Sequence, residues 1–404
     1  MEYRAISADG HVNEPPDLWT KRLPKKYKER GPRVIETRKT RGHAWIMEGQ
    51  KRPSPMGFSS IYSRSSKRFE RGAMVDSFKQ IKDRGVRYDD IFPGSWDPLE
   101  RVKEITEDKI DAEVIYNGVQ TAWNGIKLCE DKDLSLACFK AYNDWVSEFQ
   151  NAAPDRFICN ATLPSTGLDD CIAEMQRSAE LGLRTIQLES YPSGSFMDVS
   201  PEDDRFWAAA VELDMPVNVH TMFFFPAGDL AGSSKDGTLK SRGIDLEAGM
   251  FPTILFRMIS TGVFERFPDL KLVGSEVQAG WVPFYLEQFD DSVLRNRQDW
   301  NLPLLPSEYF RRNVSIVYFF DEVGAANRYD IGVGNIMWGP DFPHAASNWP
   351  VDYELGRESL ERAGATPSEI DRMMWRNAAD MYKLPYDDPA AGPVSAMAGT
   401  DRQA

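Results

Sequence analysis

Three of the four histidines in this chain stand beside carboxylates or at the ends of apolar runs. They are His11 in Asp9-Gly10-His11, His220 in Pro216-Val217-Asn218-Val219-His220, and His344 in Gly339-Pro340-Asp341-Phe342-Pro343-His344. Two neutral imidazoles and two carboxylates make a ligand set for one divalent cation, zinc first, with manganese or iron as alternatives. Successive side chains of a strand alternate in direction, so Asp9 and His11 leave an extended strand on the same side and can share an ion. Asp9, His11, His220 and Asp341 are therefore the candidate metal ligands. A cation with open coordination positions lowers the pKa of a bound water or polarises a carbonyl. Asp341, Glu276 and His344 are the candidate acid–base groups around it. Phe223 and Phe224, directly after His220, and Trp281 are the candidate substrate-binding residues; they favour an apolar or aromatic substrate. Glu14 is a candidate for orienting His11.

Placing these residues together requires a particular scaffold. Eight β-rich runs of buried-strand length recur: 3–9, 112–117, 156–161, 184–188, 216–220, 271–276, 313–318 and 335–339. Helical patterns separate them, as at 134–149, 201–213, 283–294 and 367–382. Eight strands alternating with helices predict a (β/α)8 TIM barrel, whose active site lies at the C-terminal strand ends. His11, His220, Glu276 and Asp341 all fall at or just past such ends. The alternative, an open doubly wound sheet, brings no nucleotide-binding loop, because neither GxGxxG nor GxxxxGK[ST] follows any strand. Residues 20–95 interrupt the alternation and read as a mostly irregular insertion after the first strand, capping the barrel mouth. Residues 221–249 form a second long loop. One domain spans 1–384, and 385–404 read as a disordered tail.

Composition narrows the function class. The net charge of −14 argues against nucleic acid as the main partner. Residues 21–87 nevertheless hold 20 of the 48 Lys and Arg against six acids, which leaves 28 bases and 56 acids elsewhere. Such a segment is either a solvated basic surface or a positive rim for a phosphorylated or carboxylate substrate, a coenzyme A thioester among them. The four cysteines show no CxxC spacing, no run is apolar enough to span a membrane, and no signal peptide is evident; the expectation is a cytoplasmic protein.

The segments ISADGHVNEPPDLW, IDAEVIY, AYNDWVSEF, APDRF, FWAAAVELDMPVNVH, GVFERFPDLKLV, GWVPFYLEQFD, WGPDFPH and NAADMYKL together resemble the amidohydrolase-2 family, which includes aminocarboxymuconate semialdehyde decarboxylase. The resemblance covers about 3–12 and 95–383. It implies a TIM barrel, a single divalent metal on Asp9, His11, His220 and Asp341, and a homodimer. The chain departs from the family pattern twice. The first motif of the family is more often His-x-His or Glu-x-His, and its decarboxylases carry His-x-Gly-Gly or His-x-Gly-Glu where Glu276 stands here. The leading expectation is a hydrolase in which activated water attacks an amide, ester, thioester or β-keto carbonyl. A non-oxidative decarboxylase of an aromatic or unsaturated acid is the alternative, and a non-catalytic binding barrel is the reading from another class.

Overall fold

The structure, a computed structural model, describes residues 3–38, 41–56, 85–118, 122–194, 199–220, 250–344 and 346–387. Eight parallel strands form one sheet in the order β1 (Ile6–His11), β5 (Ala112–Tyr116), β6 (Phe157–Thr162), β7 (Thr185–Leu188), β8 (Val217–His220), β9 (Leu272–Ser275), β10 (Val314–Tyr318) and β11 (Ile336–Trp338). All eight match the runs read from sequence, and the first extends to His11. The ring is completed just past β11, where His11 N donates to the Phe342 carbonyl (2.8 Å) and Asp341 N to the Asp9 carbonyl (3.1 Å). The molecule is a (β/α)8 barrel of the TIM type.

The helices begin where their caps dictate. Asp97 accepts from Leu99 and Glu100 at the start of Pro98–Glu107, and Asp131 accepts from Leu134 at the start of Lys132–Ala152. Their apolar faces pack on the outside of the strands, giving the larger core. A second core fills the barrel: Ile6, Ala8, Val114, Tyr116, Val273, Val317 and Met337 meet inside it. Trp375, Ala378 and Tyr382, from the C-terminal helices, plug its N-terminal end. Above that plug lies a polar layer. Tyr116 and Tyr382 both donate to Asn218 Oδ1, at 3.0 and 2.7 Å.

One irregularity decides the site. On β1, Ser7 pairs with Glu113 and Gly10 with Ile115, so Ala8 and Asp9 together face one residue of β5. This β-bulge shifts the alternation by one. Ile6 and Ala8 already point inward; the extra residue turns Asp9 and His11 inward as well.

The insertion is more regular than expected. Its described part carries a three-stranded antiparallel sheet, β2 (Arg33–Glu36), β3 (His43–Ile46) and β4 (Ser54–Pro55). Trp45 of β3 packs edge-on against Trp19 and Tyr88, and Tyr88 donates to the Glu14 carbonyl (2.6 Å) beyond β1. Several of its cations are already paired: Arg22 with Glu148, Arg30 with Glu48 and Asp131, Arg87 with Glu36. The first residues of the expected tail are also docked, because Tyr386 packs edge-on against Trp375. The four cysteines form no disulfide. Among the described residues, no helix is long and apolar enough to cross a membrane.

A buried carboxylate pair holds the segment that follows His344. Asp352 accepts from Ser347 Oγ (2.6 Å) and Asn348 N (2.7 Å), while Asp108 accepts from Tyr353 N (3.2 Å). Burial, and then the repulsion of Asp352, push Asp108 up to about 9; burial pushes Asp352 up to about 6. Folded values above unfolded ones mean stability is lost as pH rises through them. The melting temperature should therefore fall from about pH 4, where the unfolded carboxyls ionise, to about pH 9, most steeply below about pH 6 where both groups contribute. In Asp108→Asn that decline should be shallower; an unchanged slope would remove the pair as its source.

Candidate metal centre

The four predicted ligands reach the barrel mouth from three walls, Asp9 and His11 sharing β1. His11 ends β1, His220 ends β8, and Asp341 lies three residues past β11. Asp9, His11, His220 and Asp341 are all buried, and one ligand atom from each lies within 4.8 Å of the others. His11 Nε2 is 3.0 Å from His220 Nε2, 3.2 Å from Asp341 Oδ1 and 3.5 Å from Asp9 Oδ1. Ligand atoms about 2.1 Å from one ion stand about 3–4 Å from each other, so the cluster has the dimensions of a coordination shell.

The tautomer of His11 is fixed from behind. Its Nδ1 donates to the Asn117 carbonyl (2.8 Å), which leaves the Nε2 lone pair facing the cluster when the ring is neutral. Glu14 does not take the orienting role expected of it. Its carboxylate accepts from Gly118 N (2.9 Å) and Trp123 Nε1 (2.6 Å), and so steadies the turn that presents the Asn117 carbonyl.

The electrostatics call for a cation. Both carboxylate oxygens of Asp9 are buried without a hydrogen-bond partner among the described residues, and the buried Asp341 Oδ1 faces ring nitrogens of His11 and His344. Such oxygens are costly unless a positive charge faces them. Burial pushes the His11 imidazole down, but Asp341 and Asp9 outweigh it and carry it up to about 10. Burial likewise opposes the charge on Asp341 and Asp9, and the facing histidines draw both below the ordinary carboxylate range. The site thus draws in one positive charge, which a proton on His11 or a metal ion satisfies. The residues present fit a divalent metal.

Two further groups border the cluster. His344 stacks on His11, with ring centroids 4.0 Å apart, and places Nδ1 2.7 Å from Asp341 Oδ1. Burial, against the pull of Asp341, lowers the His344 imidazole from its ordinary value. Glu276, just past β9, brings Oε2 to 3.4 Å from His220 Nε2. Glu276 and Asp341 both hold left-handed backbone, at φ 56° and 62°. Non-glycine residues in that region are strained, and such strain gathers at functional sites.

The other expectations divide. Trp281 donates its indole N–H to the Val277 carbonyl (2.8 Å) and packs against Phe251 and Tyr285, so it fastens the loop that carries Glu276. Phe223 and Phe224 lie outside the described residues.

Residues 94–384 match the sequence pattern of the amidohydrolase family. The chain belongs to that family. It is 26% identical over 261 residues to the decarboxylase orsB of Emericella nidulans, covering 61% of this chain and 76% of that one. Among solved structures, an amidohydrolase from Mycobacterium avium subsp. paratuberculosis superposes with a TM-score of 0.70 at 23% identity, over 95% of this chain and 100% of the other. The 5-carboxyvanillate decarboxylase of Novosphingobium aromaticivorans, solved with bound manganese, superposes with a TM-score of 0.60 at 17% identity, over 95% of this chain and 97% of that one. An enzyme of this family is either a hydrolase or a carboxy-lyase.

Proposed function

We propose that this amidohydrolase-family enzyme is a metal-dependent non-oxidative decarboxylase acting on a small aromatic or unsaturated carboxylic acid. The observation that carries the reading is the pairing of a buried four-ligand cluster with a separate carboxyl at its edge, Glu276, 3.4 Å from His220. A decarboxylase needs both a cation to hold the acid and a proton donor for carbon. The sequence likeness to a fungal decarboxylase supports the same assignment.

Asp9, His11, His220 and Asp341 would hold a divalent cation, which would supply Lewis-acid charge next to the acid substrate. We assign it to manganese or zinc. Two carboxylates beside two imidazoles suit both, and manganese occupies one solved neighbour. Glu276 delivers a proton to the carbon whose bond to the carboxyl group breaks; that bond's electron pair accepts the proton, and carbon dioxide leaves. Asp341 keeps His344 oriented, and the His344 ring relays protons to the site.

One observation favours hydrolysis as the second reading. A carboxylate at 276, where the family's decarboxylases carry an imidazole, is suited to taking a proton from water. Turnover in deuterated water enriched in oxygen-18 separates the two. Decarboxylation gives carbon dioxide and one deuterium on product carbon. Hydrolysis gives heavy oxygen in the product without carbon dioxide, and that result would overturn the proposal. Glu276→Gln should keep its metal while the rate falls about 10²–10⁴-fold; loss of the metal would make Glu276 a ligand instead.

A further inference from the structure

An ion pair with no solvent exposure lies behind the metal cluster. Arg101, on helix Pro98–Glu107, and Glu113, on β5, are both 0% exposed. Arg101 Nε and Nη2 donate to the two oxygens of Glu113, each at 2.8 Å. The same Nη2 donates to the Phe342 carbonyl at 2.9 Å, and the guanidinium lies 4.5 Å over the Phe342 ring. That carbonyl also accepts the His11 backbone N–H at 2.8 Å. One oxygen is thus gripped from two sides, adjacent to ligand Asp341 and bonded to ligand His11. Gly10 makes the approach possible: a Cβ there would come within 1.9 Å of Glu113 Oε1.

Burying such a pair is weak evidence of stabilisation, because desolvation offsets most of the attraction. An apolar pair of equal volume would fill the same space. It would not donate to the Phe342 carbonyl, and that bond fixes the Phe342–Pro343 peptide, one residue past Asp341, whose backbone is held at φ 62°. The Asp341 backbone is tied on its other side by its own N–H to the Asp9 carbonyl (3.1 Å).

We infer that Arg101, braced by Glu113, is a positioning residue for the metal centre: it locks the Phe342 carbonyl and thereby sets Asp341 and His11 at coordinating distance. The inference rests on the metal reading above. Removing Arg101 alone would strand a buried carboxylate, so the test is the double variant Arg101→Met/Glu113→Gln, which leaves no unpaired charge.

Metal-stripped wild type and variant are titrated with Mn²⁺, and the metal-free melting temperature of each is measured. The variant should bind Mn²⁺ about 10–100-fold more weakly than wild type, the range of lost supporting contacts around a metal. Amide exchange at residues 339–344 of the metal-free variant should quicken. Wild-type affinity in the variant, whatever its melting temperature, would reduce the pair to packing and overturn the inference. No binding by the wild type would instead sink the metal reading. Should the double variant fail to fold, Arg101→Lys keeps the charge against Glu113 but not the planar fork. The same weakening is expected there, and unaltered affinity is again the contrary result.

Discussion

His220→Ala protein is expected to emerge from purification without metal and without activity. On the proposed metal reading His220 would supply one of four ligand atoms, and its Nε2 sits 3.0 Å from His11 Nε2 and 3.7 Å from Asp9 Oδ1. Its loss opens the wall built by β8 and leaves Asp9 and Glu276 facing each other with no imidazole between them. Metal content should drop from about one equivalent to less than about a tenth, and turnover by about 10⁴-fold or more. The fold should survive. His220 stands at a strand end, and its Nδ1 has no hydrogen-bond partner among the described residues. A variant that kept both metal and rate would show that His220 is not a ligand.

Asp341→Asn should lower the turnover number by about 10³–10⁴-fold while leaving the backbone in place. Asparagine tolerates left-handed backbone, so the φ of 62° at this position is kept. What disappears is the charge. The carboxylate lies 3.2 Å from His11 Nε2 and 2.7 Å from His344 Nδ1, and it is the largest influence raising the otherwise burial-depressed His11. A neutral amide offers a weaker ligand oxygen and no longer fixes the His344 ring. Metal affinity should weaken less than in His220→Ala, and the rate should fall even at saturating metal. Full rescue by added metal would confine Asp341 to binding and remove it from the chemistry.

The barrel and the clustering of Asp9, His11, His220 and Asp341 are legible because strong local signals coincide with the strand ends. Runs such as Val217–His220 and Val314–Tyr318 are short, apolar and wholly buried, as parallel strands must be. What the sequence concealed was geometry made by register and by distant partners. The bulge that turns Asp9 inward has no residue signature of its own. The orienting partner of His11 is a backbone carbonyl, at Asn117, which any residue type could supply; Glu14, picked for its charge, acts one step away. Glu113 did carry a readable clue, since a charge in the middle of a buried strand requires a partner. The partner, Arg101, lies on a helix and is identified only once the two elements pack. For the basic insertion, counting charges leaves a solvated surface and a positive rim both open; which cations are neutralised depends on packing, which pairs Arg22, Arg30 and Arg87 with carboxylates.

The measurement that tests the central claim most directly is elemental analysis of the wild-type protein purified without added metal. About one equivalent of manganese or zinc per chain, removable by chelation and restored together with activity, is the predicted result. No metal, and none bound after reconstitution with either ion, would contradict the account: the buried Asp9–His11–His220–Asp341 cluster would then be held together by a proton alone.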